Sequence, residues 1–131
     1  MKTPPVTPSQ WKALLLSGKE GWKNFREDMP DKRPDLSGVD LSSETLSGFD
    51  LSGVDLSGAN LGMADLSEAD LTGSSLVEAN LSRADLSDTN LSKADLTGAN
   101  LYGAFMIGAN IEGTKIEEAN IFLAKGIKYV E

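Results

Sequence analysis

The chain has no cysteine and no histidine. The first absence excludes disulfides and thiolate metal sites, and the second removes the commonest general base and metal ligand. Long apolar runs are missing too. Leu14-Leu15-Leu16 is far too short for a signal core or a membrane span, so the chain is expected to be cytoplasmic. Ser17-Gly18-Lys19 lacks the earlier glycine of a phosphate-binding loop, and no stretch has the spacing of an EF-hand. Basic residues are scarce where acids are dense. Residues 34–123 hold three Lys or Arg against fifteen Asp or Glu, residues 1–33 hold seven against four, and residues 124–131 two against one. An acidic body disfavours nucleic acid and anionic membranes and suits a basic protein partner. Asp is better explained as the residue that the repeat prefers at one position.

What is present is a five-residue word, seen cleanly in Val54-Asp55-Leu56-Ser57-Gly58 and in Ala99-Asn100-Leu101-Tyr102-Gly103. A large aliphatic residue recurs at every fifth position from Leu36 to Ile121 without a slip. It is leucine as far as Leu101, then Met106, Ile111, Ile116 and Ile121. On an α-helix, five residues rotate by about 500°, so successive centres would scatter around the axis. On a flat strand, an odd step would send them to alternate faces. Both elements fail to bury every centre, so the chain must turn at each repeat and point each centre at a common axis. Two positions before the centre stands a small residue, such as Ala59, Ala64 or Ala79. Asp or Asn precedes the centre; Ser or Thr and often Gly follow it, and these residues supply turns through local hydrogen bonds and tolerance of positive φ.

This run resembles the pentapeptide-repeat family, whose motif is A(D/N)LXX, over residues 34–123. Pro34, Glu44-Thr45, Ser74-Ser75, Phe105-Met106 and Thr114-Lys115 depart from the motif as substitutions that keep the register. The tryptophan-bearing stretch ahead of the repeats is similar to the N-terminal helical segment of cyanobacterial members. The resemblance implies an all-β fold, a right-handed quadrilateral β-helix (a solenoid of about four and a half coils) with a short N-terminal α-helical cap. Four repeats per coil stack residues twenty apart. Asn60, Asn80, Asn100 and Asn120 then share a column that can form an amide ladder. Asp50 and Asp70, Asp65 and Asp85, and Asp35 and Asp55 stack as like charges.

Three segments follow: 1–33 as a helical cap, 34–123 as the β-helix, and 124–131 as a C-terminal cap or edge segment. In the first, Ser9 can cap a helix from Gln10, with Trp11, Leu14 and Leu15 on one side. Ser17-Gly18 stops it, and Lys19 to Met29 forms a second helix bearing Trp22 and Phe25, ended by Pro30. These aromatics read as a lid on the open end of the repeats, which solenoids need.

No catalytic set is expected. An interior of leucine and alanine offers no cavity for convergent, differently tuned groups, and no cofactor or metal is implied. The function expected is a non-catalytic structural or protein-interaction scaffold. One alternative, implied by the family resemblance, is an acidic DNA-mimicking binder of a type II topoisomerase (gyrase); another is a weak small-ligand or metal-binding module. Apolar exceptions gather near the C-terminal end: Tyr102 and Phe122 in one outward column, Ile107 and Ile127 in another, Phe105 between them, and Tyr129 beyond. These six are the candidate contact residues for an unidentified protein partner or for self-association through the C-terminal end, with neither nucleic acid nor membrane as partner.

Overall fold

The computed structural model describes residues 3–127. Its unit is a four-residue turn closed by one backbone hydrogen bond, as from Ala59 N–H to Leu56 O at 3.0 Å. The third residue of every turn from 38 to 123 has positive φ, as a type II turn requires. Glycine fills half of these positions. Ser43, Met63, Glu68, Glu78, Arg83, Asp88, Lys93, Glu118 and Leu123 fill the others with φ of 56–61°. An L-residue resists this conformation, so the turn must be held by more than its own preference. Two things hold it. The residue before the centre caps the turn through its side chain: Asp65 Oδ1 accepts from Ser67 N–H at 3.0 Å and from Ser67 Oγ at 2.6 Å. The turn residue also reaches the next coil, as Glu68 N–H donates to Ser87 O at 2.9 Å. Of the eighteen repeats only those with Thr45, Ser75, Phe105 and Lys115 at the capping position lack this Asx bond, because none of those side chains is a carboxylate or amide.

Between turns, each repeat makes one parallel bridge to the residue twenty positions on, from Asp35 with Asp55 to Phe105 with Lys125. Four repeats therefore close one coil, and the bridges form four columns, which makes the cross-section four-sided. Leu56 N–H donates to Ser75 O at 2.7 Å and Asn60 N–H to Val39 O at 2.9 Å, so each coil is tied to both neighbours. The register expected to end at 123 runs on to Lys125, whose N–H donates to Ala104 O at 2.9 Å.

All the centres point inward. Leu36 to Leu101 and Met106 are buried, with Val54 and the alanines from Ala59 to Ala104 beside them. Two polar residues replace alanine inside, and each is satisfied: Ser74 Oγ donates to Leu71 O and Thr89 Oγ1 to Leu66 O, both at 2.7 Å. Among the described residues no buried side-chain polar atom lacks a partner.

Two helices precede the coils, α1 (Pro8–Leu16) and α2 (Lys19–Asp28). Thr7, not Ser9, caps α1. Pro8 at the first position leaves Thr7 to accept from Gln10 N–H at 3.2 Å, while the Gln10 side chain accepts from Thr7 N–H at 3.1 Å. Gly18 (φ +129°) turns the chain between the helices. Trp11, Leu15 and Trp22 are buried; Trp11 meets Trp22 and Phe25 edge-on at 6.4 Å and 5.2 Å. No helix among the described residues is long and apolar enough to cross a membrane.

Candidate functional site

The direction of the inter-coil bonds gives the two ends of the solenoid opposite characters. In each repeat from Leu36 to Leu101 the N–H of the centre and the N–H of the turn's third residue point toward the following coil, where two carbonyls receive them. The edge facing the N-terminus thus presents mostly acceptors, and the edge facing the C-terminus mostly donors.

On one of the four sides the acceptor edge is met by side-chain donors. Trp22 Nε1 donates to Asp50 O at 2.7 Å, Arg26 Nη2 to Ser52 O at 2.7 Å, and Arg33 Nε to Gly53 O at 2.8 Å. The carbonyls of Asp50 and Ser52 are the ones that a preceding coil would otherwise engage. A groove of about 450 Å³ lies beside this contact, walled by α2 and by Gly48 and Asp50, with the exposed Lys23–Glu27 pair (3.9 Å) on its rim. The positive charge of residues 1–33 is therefore spent partly on carbonyl oxygens.

The donor edge is left open by the described residues. Ile111, Ile116 and Ile121 occupy the same inward positions as the buried leucines, yet all three are partly exposed. Among the described residues the N–H groups of Gly113, Ile116, Glu118 and Ile121 meet no backbone acceptor.

Beside that edge the candidate residues separate into two groups. Tyr102 and Phe122 stack one coil apart, with ring centroids 6.0 Å apart and planes 31° from parallel. Phe105 continues the patch around the corner; Phe105 is 41% exposed and Phe122 66%. Ile107, 64% exposed, lies against Gly126 on the adjoining side: a Cβ on Gly126 would stand 2.6 Å from Ile107 N. Ile127 follows that glycine and packs in part on the core. Tyr129 lies outside the described residues.

Two further residues belong to the corner. The Arg83 guanidinium lies over the Tyr102 ring at 5.5 Å and Lys125 Nζ over the Phe105 ring at 5.2 Å. The signal for them was present in the twenty-residue stacking: position 83 falls under Gly103, whose missing side chain leaves room for the arginine stem, 3.3 Å from where a Cβ would be.

Elsewhere the surface is a set of acidic and amide columns. Each carboxylate of a column is engaged by its own turn. The Ser37 hydroxyl and N–H hold Asp35 below the ordinary carboxylate range, with Arg33 nearby adding to the effect; Ser42 and Thr97 act in the same way on Asp40 and Asp95. The amide column carries bonds from Asn80 Nδ2 to Asn60 Oδ1 at 3.2 Å and from Asn120 Nδ2 to Asn100 Oδ1 at 3.3 Å. Among the described residues no three carboxylates converge in a way that could hold a metal ion.

The family model for pentapeptide repeats (8 copies) matches residues 35–73 and 74–113. Among solved structures, the chain is similar to the pentapeptide repeat protein Rfr23 from the cyanobacterium Cyanothece 51142, at 40% identity and a TM-score of 0.66, covering 69% of this chain and 63% of that one. It is similar to alr5209, a pentapeptide repeat protein from Nostoc PCC 7120, at 34% identity and a TM-score of 0.57, covering 81% and 87%. It is also similar to HetL of Nostoc sp. strain PCC 7120, a pentapeptide repeat protein involved in heterocyst differentiation regulation, at 27% identity and a TM-score of 0.60, covering 72% and 53%. The chain thus spans less than two-thirds of the length of Rfr23 and of HetL. No curated protein sequence matches it. These neighbours imply a right-handed quadrilateral β-helix for coils whose repeats align with theirs, and the chain belongs to the pentapeptide-repeat family.

Proposed function

We propose that this chain is a non-catalytic scaffold that works by protein contact through the C-terminal end of its solenoid. The observation that carries this reading is the unequal treatment of the two ends. Helices α1 and α2 close one end with two buried tryptophans, while Ile111, Ile116 and Ile121 leave the core accessible at the other. An accessible core edge next to exposed Phe122 and Leu123 is the kind of surface that a partner covers. Pentapeptide-repeat proteins are in general non-catalytic structural repeat proteins. The acidic charge fits the topoisomerase reading, but the length does not, since four and a half coils at about 4.8 Å each extend only roughly 20 Å.

Bond polarity restricts how two copies could meet. Head-to-tail stacking would match donors to acceptors and grow a filament, but α1 and α2 occupy the acceptor edge. A closed tail-to-tail pair remains, held by apolar side chains rather than by a continued ladder. Sedimentation velocity tests this. A concentration-dependent dimer is expected, and Phe122→Asp and Ile116→Asp should each abolish it. If the chain is monomeric, affinity capture from native extract should recover a protein that both substitutions release. A dimer that survives both changes, or no contact through this end at all, contradicts the reading.

A further inference from the structure

The corner made by Arg83, Tyr102, Phe105, Phe122 and Lys125 differs in kind from the open edge. It lies on the flank of the coils, and it combines aromatic faces with positive charge in a body whose other columns are mostly acidic or amide. Between residues 34 and 123 only three side chains are basic. One of them, Arg83, comes to this corner, where Lys125 from just past that stretch joins it. A groove of about 360 Å³ runs between them, lined also by Gly103 and Leu123. Such a volume is at the low end for a binding cleft and suits one side chain and its neighbours.

Among the described residues neither cation makes an ion pair; the single one present is Lys23 with Glu27. Each instead lies over a ring face, and among the described residues neither side chain donates a hydrogen bond, so its N–H groups can take an anion. Asp85, one rung below Phe105 in the same column, is occupied by the N–H of Ser87.

We propose that this corner is a docking site for an acidic protein segment, one in which carboxylates flank an aromatic or aliphatic side chain. The apolar side chain would fill the groove against Phe105 and Leu123, and the carboxylates would take the N–H donors of Arg83 and Lys125. Charge complementarity selects the occupant. A nucleic acid or an anionic bilayer would bring a long array of negative charge against the surrounding acidic columns, whereas a short segment places its few charges on the two cations only.

The test uses the full chain and a panel of short fluorescein-labelled synthetic peptides in which Glu or Asp flank Phe, Trp or Leu. Counterparts with Lys in place of the acids serve as controls. Fluorescence anisotropy should detect micromolar binding of acidic members and none of the Lys versions, and amide chemical shifts should move at Tyr102, Phe105 and Phe122. Arg83→Glu should weaken binding about tenfold, through lost attraction and added repulsion. The fold accepts that change, because Glu68, Glu78 and Glu118 occupy the same turn position at φ of 57–60°. Lys125→Glu should do the same, and Lys93→Glu, at the equivalent position of another side, should leave binding intact. Ile116→Asp, which disrupts the open edge, should also leave it intact, so failure of this site and failure of the tail-to-tail contact are distinguishable. No binding by any acidic peptide, or binding indifferent to Arg83→Glu, overturns the proposal. A dimer lost in Arg83→Glu without peptide binding would assign the corner to a second copy and overturn it as well.

Discussion

Replacing Leu71 by alanine would remove most of a side chain that is fully enclosed. It stands in the column of Leu51, Leu91 and Ile111, one above another in successive coils. The surrounding backbone is fixed by inter-coil bonds such as Leu51 N–H to Asp70 O and Leu71 N–H to Asn90 O, at 2.7 and 2.8 Å. The walls of the resulting cavity cannot close in without breaking those bonds. The cost should therefore lie toward the upper part of the range for buried leucine, about 3–5 kcal/mol, which lowers the thermal midpoint by about 10–20 °C. Ile116→Ala makes a similar truncation at an equivalent inward position, but there the side chain is partly exposed and water can fill the space. Its cost should be about 1 kcal/mol. Urea denaturation followed by far-UV circular dichroism measures both. Fluorescence of Trp11 and Trp22, which sit in the cap, provides a second probe that shows whether cap and coils melt together. Equal costs at the two positions would refute the reasoning, for they would mean that the last coil is as well covered as the second.

Other outcomes follow from the same geometry. Trp22→Phe keeps an aromatic ring but deletes the donor to Asp50 O and thins the lid, and it should cost about 1.5–3 kcal/mol in the same urea assay. Stability should depend on pH only in acid. Asp35, Asp40 and Asp95 are held below their ordinary range by hydroxyl and N–H donors, so their contribution is complete above the unfolded value, near 3.9, and is lost as pH falls through the lower folded values. With no histidine to titrate near neutrality, the urea midpoint should be level from pH 8 to about pH 5 and fall below about pH 4.

The sequence disclosed the coil better than it disclosed the site. An aliphatic residue at every fifth position has one physical solution, and Leu36 to Leu101 all lie where that solution puts them. The twenty-residue stacking also placed Tyr102 beside Phe122 and the asparagines in their column. Less legible was how the turns tolerate Glu68 or Lys93 at positive φ, because the restraint comes from bonds to the next coil and from the Asx cap, not from the residue itself. The start of α1 was displaced to Thr7 because a glutamine three positions on completes a reciprocal cap that Ser9 cannot form. In the sequence Arg83 is one of three bases in an acidic stretch, and Lys125 lies just past it. Only their position over Tyr102 and Phe105 makes them part of a surface, and that depends on side-chain direction as well as on spacing. The polarity of the two edges was likewise invisible until the direction of each inter-coil bond was known.

The central claim, that the solenoid is closed at its N-terminal end and open for contact at its C-terminal end, can be tested by amide hydrogen exchange over a dilution series. At the lowest concentration, amides of the inner coils such as Leu51, Leu71 and Leu91 should exchange slowest, and those of Gly113, Ile116 and Ile121 should exchange fast. As the chain is concentrated, or a captured partner is added, protection should rise at the C-terminal end alone. Protection that is uniform from the first coil to the last at every concentration would contradict the account.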